Sequence, residues 1–280
     1  MMSVGAVPAK GQASRIFKNA FKATRKLLVL GLAIYFIPEV TAFFLSCGAL
    51  DVLRNKRRTF STLDRYFAGN GFFTLLLSPF NLLMDLLALP YWNKGVYQIG
   101  DLPKTHQDEI NTVIEAALKQ NLVGRLEAKM EGQKRGMIFF KWYGKNIDNS
   151  LDIPEFHQQF KFIRTIGVSV FNKKQSTGKH YGPIRVTLRV LYNINDMKDK
   201  SAYIKVGNHI NYWQDNKLFI FDDTLQHQSC NNSDAVRYCM FLDILRPSPF
   251  PRVTSAILSC IRLVMAPFNS IFYQHWTFLK

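Results

Sequence analysis

Two of the six histidines fall where their side chains could do chemistry. His180 precedes Tyr181-Gly182-Pro183 and a β-type run, and His227 closes the stretch FIFDDTLQ. Both lie at strand edges beside loops, where the mouth of a small barrel would open. His106 opens an amphipathic helix and His275 lies in an apolar terminal segment. Each of these reads as a solvated or satisfied histidine. The arginines sharpen the contrast. In IRVTLRVLYNI, residues 184–194, Arg185, Thr187 and Arg189 alternate onto one face, and Arg237 begins the apolar run VRYCMFLDIL. A guanidinium within a barrel strand is costly unless an anion pairs with it, and a carboxylate held bidentately is the natural partner. Two histidines and two arginines in one small barrel therefore point to a metal beside a carboxylate-bearing cosubstrate. Asp222 and Asp223 are candidates to orient an imidazole, or else form a plain strand-end turn.

Such a constellation needs strands to hold it. From residue 136 onward short β-rich runs follow one another at 137–143, 162–171, 184–194, 201–206, 217–222 and 236–245. Turn-forming residues separate them, and Pro247, Pro249 and Pro251 end the series. The expected architecture is a mainly β catalytic core, a small barrel or jelly roll, with flanking α-helices. Ahead of it, Ile110, Val113, Ile114, Ala117, Leu118 and Leu122 recur at helical spacing, which predicts an amphipathic helix over 105–130. Thr105 and Asp108 suggest a capping box at its start.

The remainder is greasy and basic. The 280 residues carry 36 Lys+Arg against 20 Asp+Glu, a net charge of +16, and a mean hydropathy of −0.05. Three apolar stretches cover 27–50, 71–92 and 254–278, each broken by an internal proline (Pro38, Pro79, Pro267) and carrying one charge (Glu39, Asp85, Arg262). A central carboxylate costs about 2.5–3.5 kcal/mol on insertion, so none is a clean span. The first stretch follows six basic residues and precedes Arg54, Lys56, Arg57 and Arg58, which suits a helix–proline–helix element lying in the bilayer interface. Five parts follow: a basic tail (1–26), membrane-associated segments (27–92), an amphipathic region (93–135), the β-domain (136–250) and a hydrophobic end (251–280). Anionic phospholipid answers the charge and the grease together. The sequence carries no nucleic-acid-binding motif, so nucleic acid is not an expected partner. Four cysteines without a C-x-x-C pair exclude a disulfide scaffold and a common zinc ribbon.

The runs FFKWYGK (139–145), SVF (169–171), KHYGPIRVTLRV (179–190), FDDTLQHQ (221–228) and VRYCMFLDILRP (236–247) resemble the aspartyl/asparaginyl β-hydroxylase superfamily, which includes lipid A 2-hydroxylases. One arginine stands nine residues after the first histidine and another ten after the second, as in that family. The resemblance implies a double-stranded β-helix that uses Fe(II), 2-oxoglutarate and O₂. It implies that His180 and His227 bind the iron. Arg189 and Arg237 would hold 2-oxoglutarate, aided by Trp142 and Ser169, with His180, His227 and Arg189 forming the catalytic set. Two positions depart from the pattern. Gly182 stands where lipid A hydroxylases place an aspartate, as in the peptide-hydroxylating branch, so water or an anion would replace that ligand. Leu191 stands where relatives commonly carry histidine.

The expected function is that of a membrane-associated dioxygenase with its catalytic domain facing the cytoplasm. Its substrate would be a membrane lipid, hydroxylated on an acyl chain of lipid A or aminolipid type. Gly182 motivates a second reading, a peptidyl aspartyl/asparaginyl β-hydroxylase. Leu191 motivates a third, a non-catalytic membrane scaffold with a degraded barrel.

Overall fold

Alternation of apolar residues builds two facing sheets. The computed structural model describes residues 21, 24–25, 28–55, 59–130, 132–265 and 276–279. Most of the basic tail, the run Lys56–Arg58 and residues 266–275 of the last greasy stretch, His275 among them, lie outside them. In chain order the helices are α1 (Pro38–Val52), α2 (Phe60–Ala68), α3 (Phe72–Leu76), α4 (Ser78–Leu87), α5 (Lys104–Lys119), α6 (Leu122–Glu127), α7 (Pro154–His157) and α8 (Pro251–Met265). The strands are β1 (Val96–Tyr97), β2 (Arg135–Trp142), β3 (Lys145–Asn146), β4 (Ile163–Phe171), β5 (Gln175–Ser176) and β6 (Thr187–Asn193). They continue as β7 (Ala202–Val206), β8 (His209–Tyr212), β9 (Leu218–Phe221), β10 (His227–Asn231), β11 (Arg237–Leu245) and β12 (Thr277–Phe278). The larger sheet runs β1-β9-β6-β11-β4-β2-β12, with β3 on β2, and the smaller runs β5-β10-β7-β8. All pairings are antiparallel except β12 on β2.

The two faces of the larger sheet have different duties. Val168, Leu188, Val190, Met240 and Leu242 pack outward against Ile110, Val113 and Ala117 of α5. The alternate residues Cys239, Phe241 and Leu191 pack inward with Ile204 and Val206 of the smaller sheet. Gly167 lets β4 approach its neighbour, since a Cβ there would stand 2.4 Å from the Phe241 ring. The helix expected over 105–130 is two helices, broken where Asn121 takes a left-handed conformation (φ 45°) and its side chain caps Gly124 N–H. It starts at Lys104 after Pro103 with no side-chain cap, so the Thr105/Asp108 capping box is corrected. His106 is buried, stacked on Phe162 at 3.7 Å, with Nε2 donating to Leu245 O.

The apolar segments form a helical layer pinned by buried charge. Pro38 and Pro79 sit in the first turns of α1 and α4, where a missing N–H does no harm. Residues 28–36 are helical and break at Ile37, the N-cap of α1, as the helix–proline–helix expectation has it. Among the described residues no helix is long and apolar enough to cross a membrane. Arg185, expected on a strand face with Arg189, lies ahead of β6 instead, and its guanidinium is 1% exposed. It pairs with Asp51 of α1, with Asp85 of α4 (2.6 Å) and with Asp222 (3.3 Å). Arg54 joins Asp222, Arg246 joins Asp85, and Tyr66 donates to Asp51 at 2.5 Å. Asp85 is thus the partner of two arginines and not a defect in a span.

Three arginines and three aspartates balance, and removing one partner strands the others. Asp51→Ala should cost about 3–5 kcal/mol of stability, read from urea unfolding. His106 adds acid sensitivity, because burial pushes its pKa down to about 4. Between that value and about 6.5 the unfolded chain binds the extra proton, so stability falls as pH falls. His106→Leu should flatten that slope by up to about 3 kcal/mol across the interval.

Candidate active site

The helical layer fixes the loop that carries the first histidine. Asn70 Nδ2 donates to Lys179 O, Thr74 Oγ1 to Gly182 O, and Asn81 Nδ2 to Pro183 O. Tyr181 Oη returns a bond to Thr62 O at 3.0 Å. From there His180 reaches across to the first residue of β10. Its N–H donates to His227 O at 3.0 Å, and His227 N–H donates back at 2.9 Å. The two imidazole centroids lie 4.1 Å apart.

Both rings are oriented by the chain two residues earlier. His180 Nδ1 lies 2.8 Å from Gly178 O, and His227 Nδ1 lies 2.9 Å from Leu225 O. A carbonyl oxygen only accepts, so each Nδ1 carries a proton and each Nε2 presents a lone pair. Asp223 Oδ1 stands 3.2 Å from His227 Nε2 and has no hydrogen-bond partner. Two buried lone-pair atoms face one another, an arrangement that a cation between them satisfies. Burial pushes the His227 pKa down to about 4, which keeps the imidazole neutral. Burial also raises the Asp223 pKa, but Arg189 and the two histidines outweigh it and hold the carboxyl below its ordinary value. Among the described residues no group of three His, Cys, Asp or Glu side chains is arranged to hold a metal ion.

A cleft of about 100 Å³ opens beside the pair, lined by Ser169, Arg189, Arg237 and Trp276 among others. Strand alternation puts them there, because Ser169, Arg189 and Arg237 occupy the inward register with Cys239 and Phe241. Arg189 Nε donates to Asp243 at 2.6 Å, and Nη2 lies 3.3 Å from Asp223, so this arginine steadies the carboxylate beside His227. Arg237 differs. It is 1% exposed, its guanidinium lies over Phe171 at 4.3 Å, and Nε and Nη1 have no partner. A buried cation with two unmatched donors calls for an anion. The Cys239 thiol, pushed up to about 11 by burial, stays protonated.

Of the residues expected from the sequence, His180, His227, Ser169, Arg189 and Arg237 meet around this cleft. Trp142 does not line it. Its ring stacks on Tyr143 at 4.8 Å, so its position gives the expected cosubstrate contact no support. The two adjacent aspartates part company. Asp223 faces His227, whereas Asp222 is held by Arg54, Arg185 and Asn93 in the ion cluster. Trp276 carries no site signal in the sequence because it lies within the apolar stretch 254–278. It stands edge-on to Phe171 at 5.1 Å, under the Arg135 guanidinium.

The family model described as aspartyl/asparaginyl beta-hydroxylase matches residues 104–247, just over half of the chain, and the chain belongs to that family. A curated relative, the ornithine lipid ester-linked acyl 2-hydroxylase of Rhizobium tropici, is 31% identical over 96 residues. That stretch spans 34% of this chain and 34% of the relative, about a third of its length. Solved structures resemble the chain more distantly. A 2OG-Fe(II) oxygenase family oxidoreductase from Burkholderia pseudomallei is 12% identical at a TM-score of 0.30, over 45% of this chain and 78% of that one. A salicylate 1,2-dioxygenase from Pseudaminobacter salicylatoxidans is 11% identical at 0.28, over 46% and 32%. Scores that low carry no argument.

Gly182 has a physical reason. A Cβ there would stand 2.3 Å from Asp223 Oδ2 and 2.9 Å from Asp223 O. The Asp223 carboxylate already fills the space that a side chain at 182 would enter. Gly182→Asp should therefore weaken metal binding by displacing Asp223, measured by calorimetry with Mn(II). Tighter binding would show that the two positions do not compete.

Proposed function

We propose that this chain is a membrane-associated Fe(II)- and 2-oxoglutarate-dependent dioxygenase, built on a double-stranded β-helix, that hydroxylates a lipid acyl chain. The observation that carries the proposal is the pairing, in one cleft, of two Nε2 lone pairs with the unmatched guanidinium of Arg237. His180 and His227 would hold the iron through Nε2. When bound, iron with the 2-oxo acid and O₂ supplies the oxidising power to insert one oxygen atom into a C–H bond. Arg237 pairs with a carboxylate of 2-oxoglutarate and Ser169 stands beside it, while Arg189 keeps Asp223 ionised and aimed at His227. Phe171, Phe241 and Trp276 keep bulk water from that end of the cleft.

The lipid assignment rests on the acyl 2-hydroxylase relative and on the surface of the helical layer. Phe36, Phe43, Phe60, Phe73, Leu86 and Trp92 are all exposed there, far more apolar surface than a water-facing layer carries. With a net charge of +16 this favours an anionic phospholipid surface, and a need for cytosolic 2-oxoglutarate would favour a catalytic domain on the cytoplasmic side.

Incubation of the full chain with Fe(II), ascorbate and 2-oxoglutarate should yield succinate and one added oxygen in extracted membrane lipids, but not in Asp- or Asn-bearing peptides. His180→Ala and Arg237→Leu should each lower succinate formation by at least about a hundredfold, whereas His106→Leu should not. Oxygen gained by the peptides alone would establish the peptidyl reading, and wild-type turnover in both site variants would refute the site.

A further inference from the structure

A larger cavity, of about 450 Å³, lies behind the histidine pair, between the barrel mouth and the helical layer. Leu50 of α1, Leu82 of α4, Trp92, Val96, Val206 and Leu225 supply its apolar lining. Two of these touch the catalytic pair through the backbone. Leu225 O accepts from His227 Nδ1, and Val206 is the cross-strand partner of His227 in the β7–β10 register. The cavity is therefore separated from the site by the thickness of one residue.

At its other end the apolar lining continues onto the outer surface. Leu50 is 58% exposed and Trp92 77%, and both belong to the same helical layer as exposed Leu83 and Leu86. Asn93, Lys94 and His209 edge the opening with polar groups. Arg54, Asp85 and Arg246 also line it, and all three are already paired within the ion cluster, so they do not demand a separate ion. An apolar path from an exposed apolar surface to the back of a catalytic residue, with a polar rim, matches one ligand class: an amphiphile with a hydrocarbon chain.

We infer that this cavity is the acyl-chain site, which draws one chain of a lipid from the surface under α1 and α4 toward the wall formed by Val206 and Leu225. The inference rests on the lipid-hydroxylase reading and adds where the chain lies and which residues measure it. Leu82 and Val206 limit the chain that fits, and Trp92 stands at the entrance.

Trp92 supplies a readout that does not require turnover. The full chain is titrated with a lysophosphatidylglycerol carrying a 9,10-dibromostearoyl chain, below its micelle concentration, and tryptophan fluorescence is followed. Saturable quenching is expected, and Trp92→Phe should remove most of it. Leu82→Phe and Val206→Phe, made separately and checked by thermal melting, should each weaken binding about tenfold or more by filling the cavity. Non-saturable quenching, or binding unchanged in both folded filling variants, would overturn the inference. If lipids are nevertheless hydroxylated, the enzymatic reading survives without it. Saturable, filling-sensitive binding with no oxygen added to any lipid would leave the acyl-chain site standing and refute the lipid-hydroxylase reading.

Discussion

Arg185 is the contact on which the rest of the structure depends. One buried guanidinium ties α1 through Asp51, α4 through Asp85 and the turn before β10 through Asp222. Buried charge is expensive unless every partner is present, so the cluster assembles whole or not at all. Its assembly does two things for the site. It seats the helices whose side chains grip residues 179–183, and hence His180. It also commits Asp222 to the cluster, which leaves its neighbour Asp223 facing His227.

The cleft is held together by a deliberate mismatch. The buried charges of the Arg185 cluster are paired with one another, yet Arg237 has two unmatched donors and Asp223 Oδ1 has none to accept from. The first deficit has the sign of an anionic cosubstrate and the second that of a cation. Each carries a local cost that the surrounding apolar core offsets, and both vanish when complementary charges enter. The fold thus holds the site open electrostatically while packing it tightly in every other respect.

Much of this was legible from side-chain pattern. The six expected runs match β2, β4, β6, β7, β9 and β11 to within a few residues, because inward and outward apolar residues alternate in each. β10 escaped notice because its sequence, His-Gln-Ser-Cys-Asn, is polar and lies half in the site. The histidines were marked by their place at strand edges beside loops, and both site arginines by cost: a guanidinium does not sit in a strand without a partner. Arg185 was misplaced for the same reason, since two of its partners, Asp51 and Asp85, are 100 or more residues away at or in segments that read as membrane-associated. Asp85 looked like a flaw in a greasy segment and Asp51 carried no signal just past the end of another, and only the tertiary structure shows them to be pins. Trp142 carried no pattern of its own beyond resemblance, and it is the residue whose placement departs from expectation.

What enters the cleft decides its chemistry. Crystals of the full chain grown without oxygen with Mn(II) and 2-oxoglutarate, measured at the manganese absorption edge, address it directly. One anomalous peak within bonding distance of Nε2 of both His180 and His227, with a 2-oxoglutarate carboxylate on Arg237, is the predicted result. A peak away from the pair, or a carboxylate bound elsewhere while Arg237 stays unpartnered, would contradict it.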